Sequence, residues 1–155
     1  MAAGNWIMYE QAKEWIGDGA IDLDGHEFKM ALFLSTSNCA TLTHDEYGDL
    51  TNEHASGNGY TTGGEACTGT ITAANQWLRS GGTVKFDCDD VVWTANAGPI
   101  TARFAVIYDD THATKALLCY CLLDTAPADV TATDGNTLTV GIHADGVFTL
   151  SGMAT

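Results

Sequence analysis

Between Ile100 and Tyr108 every second residue is apolar: Ile100, Ala102, Phe104, Val106 and Tyr108 share one parity, with Thr101 and Arg103 on the other. A period of two is the signature of an extended strand with one face turned to a core, and a helix cannot satisfy it. The same logic applies from Thr83 to Thr94. There Val84, Phe86, Cys88 and Val92 share a parity against Lys85, Asp87 and Asp89, and Asp90 breaks the pattern as a bulge would. Ala116 to Leu123 is apolar on both parities, which predicts a central strand covered on both sides.

Further strands are expected at Glu27–Leu34, Ala66–Ala73, Leu138–Ile142 and Val147–Leu150, the last two joined as a hairpin by Asp145-Gly146. Trp77 and Leu78 read as part of a connection ending in the Gly81-Gly82 turn. Gly98-Pro99, Asp109–Thr114 and Asp124–Gly135 read as turns or loops, and Asn52–Gly64 as an exposed loop. Thr43 and Glu46 fit a capping box for a short helical turn over Thr43–Leu50. One clear helix is predicted, over Asn5–Ile16. Trp6, Tyr9, Ala12 and Ile16 follow its spacing, Asn5 caps it, and Gly17 and Gly19 end it.

Seven or eight short strands with one helix predict a mainly β chain, an antiparallel β-sandwich or jelly-roll-like domain with a short N-terminal helix. The 155 residues fit a single domain, residues 1–19 forming the helix and turn and 20–155 the β-sandwich. The helix is too short to persist alone, so it must dock on its own domain or on a neighbour.

Twenty carboxylates against six Lys and Arg give a formal net charge of −14. That charge excludes nucleic acid as a partner, because phosphate binding needs a basic footprint. It also opposes an anionic membrane surface, and no stretch approaches the roughly 20 apolar residues of a membrane span. Met1–Gly4 has neither the basic region nor the apolar run of a secretion signal.

The five cysteines, Cys39, Cys67, Cys88, Cys119 and Cys121, match no zinc spacing. They read as buried thiols, the alternative being one or more disulfides, within or between subunits. The five histidines sit in polar turns with no marked nucleophile beside them, and there is no G-x-S-x-G elbow or phosphate-binding loop. Asp22-Leu23-Asp24 and the run Asp87 to Asp90 offer carboxylates. Asp87 and Asp89 would share a strand face, which makes them the weak Ca²⁺ candidates of the chain, a solvated acidic face being the simpler reading. No catalytic residue and no cofactor are assigned, and the chain reads as non-enzymatic. Trp6, Tyr9, Trp15, Tyr47 and Tyr60 are the interface candidates, since aromatic side chains are enriched where proteins meet.

Four segments carry a resemblance. They are Ile21–Leu34 (IDLDGHEFKMALFL), Thr51–Gly64 (TNEHASGNGYTTGG), Val92–Tyr108 (VWTANAGPITARFAVIY) and the apolar stretch Leu117–Asp124. In order and spacing they resemble a family of small tailed-bacteriophage virion proteins. Cys119-Tyr120 stands where that family has Gly-Tyr, and the extra cysteines leave room for covalent reinforcement. The resemblance implies a structural component of a phage particle. The favoured form is a capsid decoration, or cement, protein on the outer capsid surface, a homo-oligomer (trimer favoured) that contacts the major capsid protein or other virion proteins. A tail or fibre component that binds a receptor or glycan is the alternative. The N-terminal helix and the Asn38–Gly64 loop are the expected contacts.

Overall fold

The computed structural model describes residues 4–68, 77–126 and 128–151. In chain order its elements are β1 (Ile7–Met8), α1 (Glu10–Asp18), β2 (Phe28–Phe33), a 3₁₀ turn (Tyr47–Asp49), β3 (Glu65–Ala66), β4 (Trp77–Ser80), β5 (Thr83–Phe86), β6 (Val91–Thr94), β7 (Ile100–Ala102), β8 (Phe104–Asp109), β9 (Leu117–Leu122), β10 (Val130–Ala132), β11 (Thr137–Val140) and β12 (Phe148–Leu150). The protein is mainly β, antiparallel and sandwich-like, with a short helix near its N-terminus.

The main sheet runs β1-β9-β8-β2-β3. The remaining strands continue it as a single bent ribbon. Reading outward from the Asp109–Ala116 turn, β8 pairs with β9, β7 with β10, β6 with β11 and β5 with β12, all antiparallel. This nested order is the pairing of a jelly-roll ribbon. The ribbon is interrupted three times, and hydrogen bonds stitch each break. Leu123 N–H donates to Arg103 O at 3.0 Å and Arg103 Nε meets Asp129 Oδ1 at 2.8 Å. Ala95 N–H donates to Asn136 O and Ala97 N–H to Asp134 Oδ1, both at 2.8 Å. Ile142 N–H donates to Asp90 Oδ1 at 2.8 Å. β4 flanks β5 on its other side, through the Gly81-Gly82 turn.

The register assigns the two faces of the main sheet. Phe28, Met30, Leu32, Ile107, Cys119 and Cys121 point one way, and Phe33, Val106, Tyr108 and Tyr120 the other. The ribbon packs on the first face, where Phe86 of β5 meets Phe28 edge-on at 4.9 Å. The stretches around Tyr9 and Tyr47 lie on the second. Tyr9 lies 5.7 Å from Tyr120, and Tyr47 lies 4.3 Å from Tyr108. β2 and β9 are accordingly buried on both sides, as the two-sided apolar run at Ala116–Leu123 predicts.

Several local expectations are corrected. The helix begins at Glu10 rather than Asn5, because residues 4–9 are drawn along β9. Gly4 N–H donates to Leu122 O, Ile7 and Met8 pair with Tyr120 and Cys119, and Tyr9 N–H donates to Leu118 O. Covering that sheet edge outweighs the local preference for an Asn cap. Gly17 lies inside α1; Gly19, at φ 82°, is the left-handed residue that ends it. The 3₁₀ turn is capped by Asp49, whose carboxylate accepts the N–H groups of Asp45 and Glu46, rather than by Thr43.

Trp77 and Leu78 lie in β4, and β10 falls inside the expected Asp124–Gly135 loop. The expected Thr83–Thr94 strand is two strands broken at Asp87–Asp90, and Arg103 divides the next into β7 and β8. Asp145-Gly146 does form a turn, but the strands on either side of it pair with β6 and β5 and not with each other. The expected Ala66–Ala73 strand begins as β3, and its part beyond Thr68 lies outside the described residues.

Phe86 ties ribbon to sheet, touching both Phe28 and Phe148 from a fully buried position. Phe86→Ala is expected to cost about 3–5 kcal/mol in urea unfolding. Val92→Ala, on a side chain 49% exposed, should change stability by no more than about 0.5 kcal/mol.

Candidate functional site

A strand buried on both faces must find partners for both of its edges, since water cannot reach them. One edge of β2 is laddered to β8 along its length. The other is filled by residues 52–67. Leu34 N–H donates to Asn52 O at 2.9 Å, His54 N–H to Leu32 O at 2.9 Å, and Cys67 N–H to Phe28 O at 2.8 Å, while Lys29 and Met30 pair with Ala66 and Glu65. Between these stretches the backbone leaves a gap at Leu32. The Tyr60 hydroxyl fills it, accepting the Leu32 N–H at 3.0 Å.

Tyr60 is held there by its loop. Its hydroxyl donates to Glu53 Oε1 at 2.6 Å, and the same oxygen accepts the Gly63 N–H at 2.6 Å. Tyr108 of β8 donates its hydroxyl to Gly63 O at 2.8 Å. The Tyr60 ring packs between His54 and Trp93, with centroids 5.0 and 6.2 Å away. Burial first, then the neighbouring Glu53 carboxylate, pushes the Tyr60 phenol far above its ordinary range, so the hydroxyl remains a donor at any physiological pH. Tyr108 is raised in the same way by burial, then by Asp110 and Glu53.

The loop also grips the ribbon corner: Asn96 N–H donates to Asn58 O, and Asn58 Nδ2 donates to Pro99 O, both at 3.0 Å. Two glycines make these approaches possible. Gly59 has φ 86°, and a Cβ there would sit 2.0 Å from Thr94 O; Gly64 has φ 73°, and a Cβ would sit 1.9 Å from Met30 O.

A second polar cluster lies at the far end of the sheet. Asp109 is fully buried; its Oδ2 meets His26 Nδ1 at 2.6 Å, and its Oδ1 accepts the N–H groups of Thr111 and His112 at 3.0 Å. Asp110 bridges Lys29, at 2.9 Å, and Lys115. Burial raises the Asp110 carboxyl, but the hydrogen bonds and charges of the two lysines outweigh it and hold the group below the usual carboxylate range. Nothing local marked this cluster, because His26, Lys29 and Asp109 to Lys115 meet only through the β2–β8 register.

The interface candidates separate into two groups. Tyr9 is fully buried, its hydroxyl donating to Cys39 O at 2.8 Å, and Tyr60 is 2% exposed. Both are core residues, so neither can anchor a partner in this fold. Tyr47 is half-buried on Phe33 and Tyr108. Trp15 is half-buried and stacks on His112 at 5.1 Å. Trp6 precedes the helix rather than riding on it. It lines a groove of about 700 Å³ whose walls include Leu123, Leu138, Val140 and Ile142.

The Ca²⁺ candidates Asp87 and Asp89 do not share a strand face. Residues 87–90 leave the strand, Asp87 pairs with Lys85 Nζ at 2.6 Å, and Asp89 N–H bonds Thr68 O. Among the described residues no three His, Cys, Asp or Glu side chains converge to hold a metal ion. All five cysteines are buried, and none is in a disulfide.

Tyr60→Phe should cost about 1.5–3 kcal/mol, because it strands the buried Leu32 N–H and removes a donor from Glu53. Gly59→Ala should cost more than about 2 kcal/mol from backbone strain and the clash with Thr94 O. Gly57→Ala, in open space but at φ 137°, should cost about 1–3 kcal/mol from backbone strain alone. Because the Asp110 carboxyl is lowered in the fold, its contribution is complete above the ordinary carboxylate range and fades as pH falls through the lowered value. Asp110→Asn is therefore expected to flatten the acid limb of a stability–pH profile and leave the shape near neutrality unchanged. Comparison with protein-family models, with curated proteins and with solved structures finds no match to this chain.

Proposed function

We propose that this chain is a non-enzymatic structural protein of a tailed-phage particle, most directly a decoration protein that stabilises joints between capsid subunits from outside. One observation carries the reading. The four segments on which the resemblance rests pack together: β2, the 51–64 loop, the β6–β8 stretch and β9 form one hydrogen-bonded unit. The motif residues Glu53, Gly59, Tyr60 and Gly64 are used up in holding that unit and do not line a reactive cleft. A shared motif whose task is to maintain a fold suits a scaffold that acts through its surface. The charge of −14 suits an exterior position, where an acidic face neither attracts nor binds the packaged genome.

Particles assembled without this chain are expected to release DNA at a lower temperature and after milder osmotic shock than complete particles. Equal resistance of the two would remove the cementing role. Density for the chain at the tail, with none on the capsid shell, would replace it with the tail reading.

A further inference from the structure

Cys67 and Cys88 are 21 residues apart in sequence and both are buried in the core. Cys67 is fixed by its N–H to Phe28 O, at 2.8 Å. Cys88 lies two residues beyond Phe86, which packs on that same Phe28. One residue further along each chain, Asp89 N–H donates to Thr68 O at 2.7 Å, which brings the two backbones close together at this point. The side chains are 2% and 4% exposed, and Cys88 is the neighbour that most strongly raises the Cys67 thiol. Cys119 of β9, on the same sheet face, interacts with both only through space.

We infer that Cys67 and Cys88 form a latent disulfide, open as two thiols under reducing conditions and closed by a small-molecule disulfide under oxidising ones. Closure is two thiol–disulfide exchanges. One protein thiolate attacks the small disulfide, making a mixed disulfide and expelling one small thiolate. The other protein thiolate attacks the protein sulfur of that mixed disulfide, closing the S–S bond and expelling the second. Two electrons pass to the small disulfide, which leaves as two thiols, carrying the two protons that the cysteines gave up. The bond closes a loop containing β4 and β5 and ties the ribbon to the outer edge of β2 beside Phe28. The neighbouring Cys88 and then burial hold Cys67 in its protonated form, so exchange in the folded chain is slow and the bond, once made, resists reduction. The device depends only on the chain's own fold and not on where the protein sits.

The test is refolding of the full-length chain in a buffer of oxidised and reduced glutathione, followed by non-reducing peptide mapping and thermal unfolding. Refolding gives the thiols access to the oxidant that the native state denies them. The expected product has lost two hydrogens, carries a Cys67–Cys88 linked peptide, and melts higher than the reduced form by on the order of 5–10 °C. Cys119→Ala should form the same link, and Cys88→Ala should lose it. Five intact thiols after refolding, or a link that runs through Cys119, would overturn the assignment. The wild-type map alone decides this if either variant fails to fold.

Discussion

The outer edge of β2 is the constraint on which the rest of the structure depends. The strand is buried on both faces, between the ribbon on one side and the stretch around Tyr47 on the other. Every backbone group along its free edge therefore needs a partner within the protein, at a cost of about 1–3 kcal/mol for each one left unmet. Residues 52–67 supply those partners, and the Tyr60 hydroxyl takes the place of a backbone carbonyl at Leu32. The loop that looks like a connection is thus the missing strand of the sheet, built partly from a side chain.

That requirement explains Gly59 and Gly64 in the loop. To set Tyr60 at Leu32, the chain must pass against Thr94 O and Met30 O, where any Cβ would collide. Glu53 fixes both ends of the turn, accepting from Tyr60 and from Gly63, and Tyr108 binds the loop back to β8. The same loop holds the corner where β6 turns toward β7, through Asn58. The ribbon's path and the sheet's edge are therefore set by one segment.

Much of this was legible in the sequence. The alternation at Ile100–Tyr108 and the two-sided apolar run at Ala116–Leu123 place β7, β8 and β9, and their antiparallel β-rich class follows. What was hidden has physical causes. β1 was masked because Trp6, Tyr9 and Ala12 also satisfy a helical period, and only the long-range need to cover β9 decides between the two. β10 is three residues long in polar surroundings, too short for a period to show. The ribbon's nested order is a matter of distant pairing, which Asp145-Gly146 misrepresents as a local hairpin. The loop is largely exposed, as expected, and Tyr60, a single aromatic among Gly and Thr, was the one local sign that it is anchored in the core. Its burial rather than its exposure is what that sign meant. The Asp109 and Asp110 cluster had no local sign at all.

Amide hydrogen exchange under native conditions tests the central claim directly. If residues 52–67 complete the sheet, the Leu32 amide, whose acceptor is the Tyr60 hydroxyl, should exchange as slowly as those of Met30 and Ile107. The Gly63 amide should open in the same cooperative step. Rapid exchange at Leu32 and Gly63, while the β8 amides stay protected, would show that the loop opens independently and that the sheet does not rely on it.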